Sequence, residues 1–123
     1  LVLNEPLGSE VANGRFYVAD RDGGTSPSDP SVAVVRWFDM KTGAPAGSVR
    51  VAGSTGFNDI AIASDGTIYG TQTGVGLPAP NPSSWQVWKI TPAGDASIMI
   101  QGAPLRQPNG IALDAKGNLV VVN

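Results

Sequence analysis

The sequence predicts an all-β chain made of β-propeller blades, from an internal repeat, a two-residue apolar alternation and a high turn content. Three segments align: PLGSEVANGRFYVAD (Pro6–Asp20), FNDIAIASDGTIYGTQ (Phe57–Gln72) and PNGIALDAKGNLVVVN (Pro108–Asn123). The period is 51 residues from Phe57 to Pro108, Gly66 to Gly117, Trp37 to Trp88 and Gly43 to Gly94, and the first copy needs one gap. Ile60 and Ile62 alternate with Ala61 and Ala63, and Ile111 and Leu113 flank Ala112, which is the side-chain period of a strand. The 123 residues include 16 Gly and 10 Pro, enough for many tight turns, and no stretch of helical period carries a cap. Four strands in a repeat of 40–50 residues is the signature of a propeller blade.

Within each copy the elements follow in order. A first strand leads to Asn13-Gly14, Asp65-Gly66 or Lys116-Gly117, pairs suited to the positive φ angles of a two-residue hairpin turn. Second strands are predicted at Phe16–Ala19, Ile68–Thr71 and Leu119–Val122. The last is apolar at every position, as expected of a strand covered on both faces. Third strands fall at Val32–Phe38 and Trp85–Ile90. Turns at Lys41-Thr42-Gly43 and Pro92-Ala93-Gly94 lead to fourth strands around Ser48–Val51 and Ser97–Ile100. Each repeat is therefore a four-stranded antiparallel meander. Ala61 and Ala112 supply the small side chains that innermost strands need around a crowded axis.

The expected division is 1–5 as the end of a preceding blade, 6–56 and 57–107 as two whole blades, and 108–123 as half of another. A closed propeller needs four to eight blades. The chain is thus expected to be a fragment of a larger ring, completed by another segment or by further copies.

Composition narrows the chemistry. The chain has no Cys and no His, which removes disulfides, thiolate zinc sites and every imidazole-dependent mechanism. A net charge of −2 without a basic cluster argues against nucleic acid and anionic membrane surfaces. The longest apolar run, Leu119–Val122, is far too short to span a bilayer. The lack of Cys favours a bacterial periplasmic or secreted location over the cytoplasm.

Meander topology also divides the connections between two ends. The short turns at 13–14, 41–43, 65–66, 92–94 and 116–117 share one end. Asn58 and Asn109 lie on connections at the opposite end, with the long loops Arg21–Ser31 and Gly74–Ser84. Long loops beside a channel mouth are where sites are built. Pro78, Pro80 and Pro82 stiffen one wall, Trp85 borders it, and Arg21 and Arg106 are placed to meet an anionic substrate there, with solvated loop charges as the default reading of both.

The strings FNDIAIASDGTIYGTQ and PNGIALDAKGNLVVVN resemble the six-bladed propellers of the gluconolactonase family, which includes senescence marker protein and luciferin-regenerating enzymes. The resemblance covers essentially the whole chain; NHL-repeat propellers share a similar Pro-x-Gly-Ile-Ala pattern. It implies a divalent metal, usually calcium, in the central channel, with Asn109 as a ligand and Asn58 contacting substrate, metal or metal-bound water. It also implies a ligand Glu near Leu7, where the residue is wrong, and a general-base Asp about 50 residues past Asn109. The implied activity is metal-dependent hydrolysis of a lactone or related ester. Oxygen donors are the only ligands these residues offer, and they suit a hard cation. A non-catalytic NHL-like binder and a fragment that assembles into a ring are the alternatives. Other readings give Asn58 and Asn109 local turn-capping roles, Asp59 a turn-setting role, and Trp37 and Trp88 packing between blades. Asp20-Arg21-Asp22-Gly23 lacks the twelfth-position Glu of a calcium loop, because that residue is Ser31.

Overall fold

Alternating apolar residues and Gly-marked turns give ten strands in the computed structural model, which describes residues 3–123. Leu1 and Val2, which open the predicted end of a preceding blade, lie outside the described residues. Sheet 1 runs β1 (Ser9–Ala12), β2 (Arg15–Asp22), β3 (Val32–Asp39) and β4 (Pro45–Val51). Sheet 2 runs β5 (Asp59–Ile62), β6 (Ile68–Gln72), β7 (Gln86–Ile90) and β8 (Ala96–Gln101). Sheet 3 pairs β9 (Ile111–Leu113) with β10 (Leu119–Val121). Every pairing among the described residues is between sequence neighbours and antiparallel, and among them a single 3-10 turn at Pro82–Ser84 interrupts the all-β pattern.

The turns explain the gap in the repeat. Asn13 and Gly14 both have positive φ, 51° and 73°, and form the expected two-residue hairpin. The other two hairpins are one residue longer. Ala63 N–H donates to Thr67 and Asp114 N–H to Asn118, enclosing three residues that end in Gly66 or Gly117. The missing residue shifts the repeat spacing from 51 to 52 along the next two strands. Val18 faces Arg36 where Gly70 faces Trp88, and Tyr17 faces Trp37 where Tyr69 faces Lys89. Trp37 and Trp88 are therefore not equivalent, despite their 51-residue spacing. They enter the same layer from opposite sheets, so both do pack between sheets.

That layer holds Tyr17, Val35 and Val51 of sheet 1 against Phe57, Ile60, Ile62, Trp88 and Ile90 of sheet 2 and its entry. The opposite face of sheet 2 brings Ala61, Val87 and Tyr69 onto Ile111, Leu113, Leu119 and Val121 of sheet 3. Strands β5 and β6 of sheet 2 are thus covered on both faces, whereas β8 at its outer edge is largely exposed. β10 is not covered on both faces, because Val120 is 52% exposed, contrary to the two-sided burial its apolar run predicts.

Two strand glycines are required by aromatic rings lying across them. A Cβ on Gly47 would sit 2.5 Å from the Trp37 ring, and one on Gly70 would sit 2.6 Å from that of Phe57. Gly70→Ala is expected to cost about 1–3 kcal/mol through overpacking, read as a lower urea midpoint at unchanged slope. Wild-type stability would show that the Phe57 ring is free to move aside.

Candidate functional site

Each sheet begins with the same backbone device. Leu7 N–H donates to Ala19 (2.9 Å) while Ala19 N–H donates to Gly8 (2.8 Å), so two residues oppose one. Asn109 and Gly110 oppose Val122 in the same way, at 2.8 and 2.9 Å. Asn58 N–H donates to Thr71 at 2.8 Å, and Thr71 is also registered on Asp59. These are β-bulges, which re-aim a side chain at the end of a ladder. Positions 7, 58 and 109 are thereby structurally equivalent, as the sequence alignment expects. The main chain here also joins sheets, since Asn58 O accepts from Gly8 N–H (2.8 Å) and Asn109 O from the Thr71 hydroxyl. Among the described residues neither side-chain amide makes a hydrogen bond, so neither Asn is a local turn cap.

The strand connections sort to two ends as the topology requires. A cleft of about 410 Å³ is lined by Leu7 and Asn58 together with Asp20, Arg21, Thr73 and Ser84. A cleft of about 360 Å³ elsewhere is lined by the short turns, including Asn13, Gly66 and Gly94. Of the residues expected at a site, Asn58 and Arg21 share the first cleft. Asn109 is exposed and lines neither, and Arg106 lines a third cleft with Trp85. Arg21 is not a free cation, because its guanidinium is paired with Glu5.

Behind the first cleft stands a charged clamp. The Asp20 carboxylate is fully buried and accepts from Glu5 N–H (2.7 Å), Asn4 N–H (3.1 Å) and Arg36 Nε (2.7 Å). Arg36 Nη2 also reaches Asp22 at 2.6 Å. Burial pushes the Asp20 carboxyl upward, but hydrogen bonds from Arg36 and from the Glu5, Asn4 and Arg21 backbone outweigh it and hold it below 3.8. In sheet 2 the equivalent side chain, Gln72, accepts from Thr55 N–H at 2.8 Å. The Asp20-Arg21-Asp22 run therefore fastens the entry to β1 and does not form a calcium loop.

Two further carboxylates strap the sheets together. Glu10 Oε2 accepts from Ile62 N–H at 2.6 Å, and Asp59 Oδ2 accepts from Ile111 N–H at 3.0 Å. Each reaches from the start of one sheet to a first-strand amide of the next. Asp59 does not set a turn, as the sequence reading expects; it joins sheets 2 and 3. Burial raises the Glu10 carboxyl, the Ile62 N–H opposes that shift, and the Asp59 charge adds to it. Sequence reasoning set Glu10 aside as out of register with the ligand position at Leu7, and it passed over Arg36. The signal available was a charged residue inside an otherwise inward-facing strand pattern.

The donor set falls short of a calcium site. Calcium takes six to eight oxygens, usually with several carboxylates. Among the described residues no group of three or more Asp or Glu side chains is placed to hold a metal. Asn58 and Asn109 offer only neutral amide oxygens, and Leu7 at the third equivalent position offers none.

Arg36→Met would leave the Asp20 carboxylate buried without its cation and is expected to cost about 3–5 kcal/mol at pH 7. Because the folded Asp20 pKa lies below its unfolded value, the stabilisation is complete above pH 3.8 and is lost as pH falls through the folded value. The stability gap between wild type and variant, measured by urea melts, should therefore narrow below pH 4. Glu10 has the opposite sign. Its folded pKa lies above 4.5, so the folded state takes up the proton first and Glu10 favours folding as pH drops toward 4.5. Glu10→Gln should remove that acid-side gain while matching or exceeding wild-type stability at pH 7.

Comparison with known proteins finds no matching family model, no matching curated protein and no matching solved structure.

Proposed function

We propose that the three sheets are consecutive blades of a gluconolactonase-like β-propeller, six-bladed when complete. Its Asn-bearing end would be the mouth at which a divalent-metal-dependent hydrolase, with calcium as the metal, opens a lactone or related ester. The observation that carries this reading is the recurrent bulge at 58 and 109, with two unbonded amides at the end of the sheets where the long loops lie. The neighbouring placement of β1, β5 and β9 supports a common axis for the first strands. The carboxylate ligands and the general base come from the remaining blades, supplied by another segment or another copy. No catalytic step is assigned to the residues described here.

A second reading, a non-catalytic NHL-like binding propeller, is favoured by the apolar Leu7 at the third bulge and by the lack of an acid cluster among the described residues. Calorimetric titration with calcium chloride, paired with pH-stat hydrolysis of δ-valerolactone, separates the two. The hydrolase reading expects saturable calcium binding weakened at least about tenfold by Asn109→Ala, and turnover lowered by Asn58→Ala. Absence of both calcium binding and turnover in a closed ring would sink it and leave the binder.

A further inference from the structure

We infer that the cleft around Arg106 is a separate binding site for a small apolar anion, an aromatic carboxylate being the best fit. The inference is independent of the proposed hydrolase, because the cleft that holds Arg106 and Trp85 is lined by neither Asn58 nor Asn109. The cleft measures about 500 Å³ and is lined by Leu77, Pro80, Trp85, Ala103, Arg106 and Gln107. Its walls are apolar apart from one guanidinium and one amide, and no acid faces it. Arg106 is exposed and makes no ion pair among the described residues. Leu77, 88% exposed, presents its apolar side chain at the rim of the cleft.

The walls are fixed before any ligand arrives. Trp85 Nε1–H donates to Val75 O at 2.9 Å, which sets the indole orientation, and Gly102 N–H donates to Trp85 O at 3.0 Å. Gln107 adopts φ 55°, a left-handed conformation uncommon for a residue with a side chain, and such positions gather at ligand clamps. Its amide lies directly on Gly76, where a Cβ would come within 2.1 Å of it. The Pro-rich loop and the 103–107 segment are thus interlocked. A rigid apolar slot with one convergent cation selects a flat apolar body carrying one negative group, paired to the guanidinium.

The test is titration of 2-naphthoate into the 15N-labelled protein, with 2-naphthyl phosphate and neutral 2-naphthalenemethanol as companion probes. The expected result is saturable shifts centred on the Trp85 indole and Arg106 amide signals. Binding should weaken at least about tenfold in Arg106→Ala, less in Arg106→Lys, and clearly for the neutral probe. Tighter binding of the phosphate than of the carboxylate would keep the anion site and correct its ligand class. Leu77→Asp, at a position too exposed to disturb folding, should also weaken the anion. Unchanged affinity in Arg106→Ala, shifts confined to the Asn58 cleft, or self-association through these residues with no probe binding would each overturn the inference.

Discussion

Ile60 and Ile62 leave β5 toward sheet 1 while Ala61 leaves it toward sheet 3, and the rest of the structure is arranged around this two-sided burial. Full burial of an isoleucine side chain is worth about 1.5–3 kcal/mol, so the two layers meeting on this short strand hold three sheets together. The small Ala61 lets sheet 3 approach closely. The first strands β1, β5 and β9 are edge strands of separate sheets and do not pair with one another, which leaves edge amides in need of acceptors. Glu10 and Asp59 supply those acceptors from the neighbouring sheet. An edge that would otherwise invite another strand is thereby used to fix sheet against sheet.

The bulges follow from the same constraint. Positions 8, 59 and 110 are equivalent second residues of the bulge, occupied by Gly, Asp and Gly. A side chain at Gly8 would collide with the backbone and carboxylate of Asp59, at 2.6 and 2.1 Å. Gly110 faces the same carboxylate from the other side at 3.8 Å. The acid occupies the middle repeat, where it joins sheet 2 to sheet 3, and glycine clears its approach. The preceding bulge position is then free to carry an unbonded side chain into the open end.

Strand order, hairpin positions and the two ends of the meander were legible because they depend on local alternation and on Gly-marked turns. Side-chain partners were not. One residue fewer at Asn13-Gly14 moves every inward position of β2 and β3 by one, so Trp88 stands where sheet 1 has Arg36. A period read from matching tryptophans cannot reveal that, because the spacing is restored by the longer turn between Asp39 and Ala44. The roles of Asp20 and Asp59 were hidden for a different reason. Asp20 answers the Glu5 amide 15 residues away, which meets it only once the segment before β1 lies over β2, and Asp59 answers the Ile111 amide 52 residues away, which meets it only once sheets 2 and 3 are stacked.

Asn58 and Asn109 occupy equivalent bulges yet sit in different surroundings, and the stacking accounts for it. Asn58 belongs to sheet 2, which has sheets 1 and 3 on its two faces, and it is drawn into a cleft beside the Arg21–Glu5 pair. Asn109 belongs to sheet 3, whose second face carries exposed Val120, next to exposed Val122. The outer face of sheet 1 likewise presents Val11 and Phe16, 58% and 36% exposed. Each such face forgoes roughly 25 cal/mol for every square ångström of apolar surface that a further sheet would cover. The proposed ring of blades would cover both faces, and in doing so would give Asn109 the enclosed setting that Asn58 already has. Exposed Val120 and Val122 and the unenclosed Asn109 thus share one cause, the uncovered face of sheet 3, and in the proposed ring the next blade would cover all three.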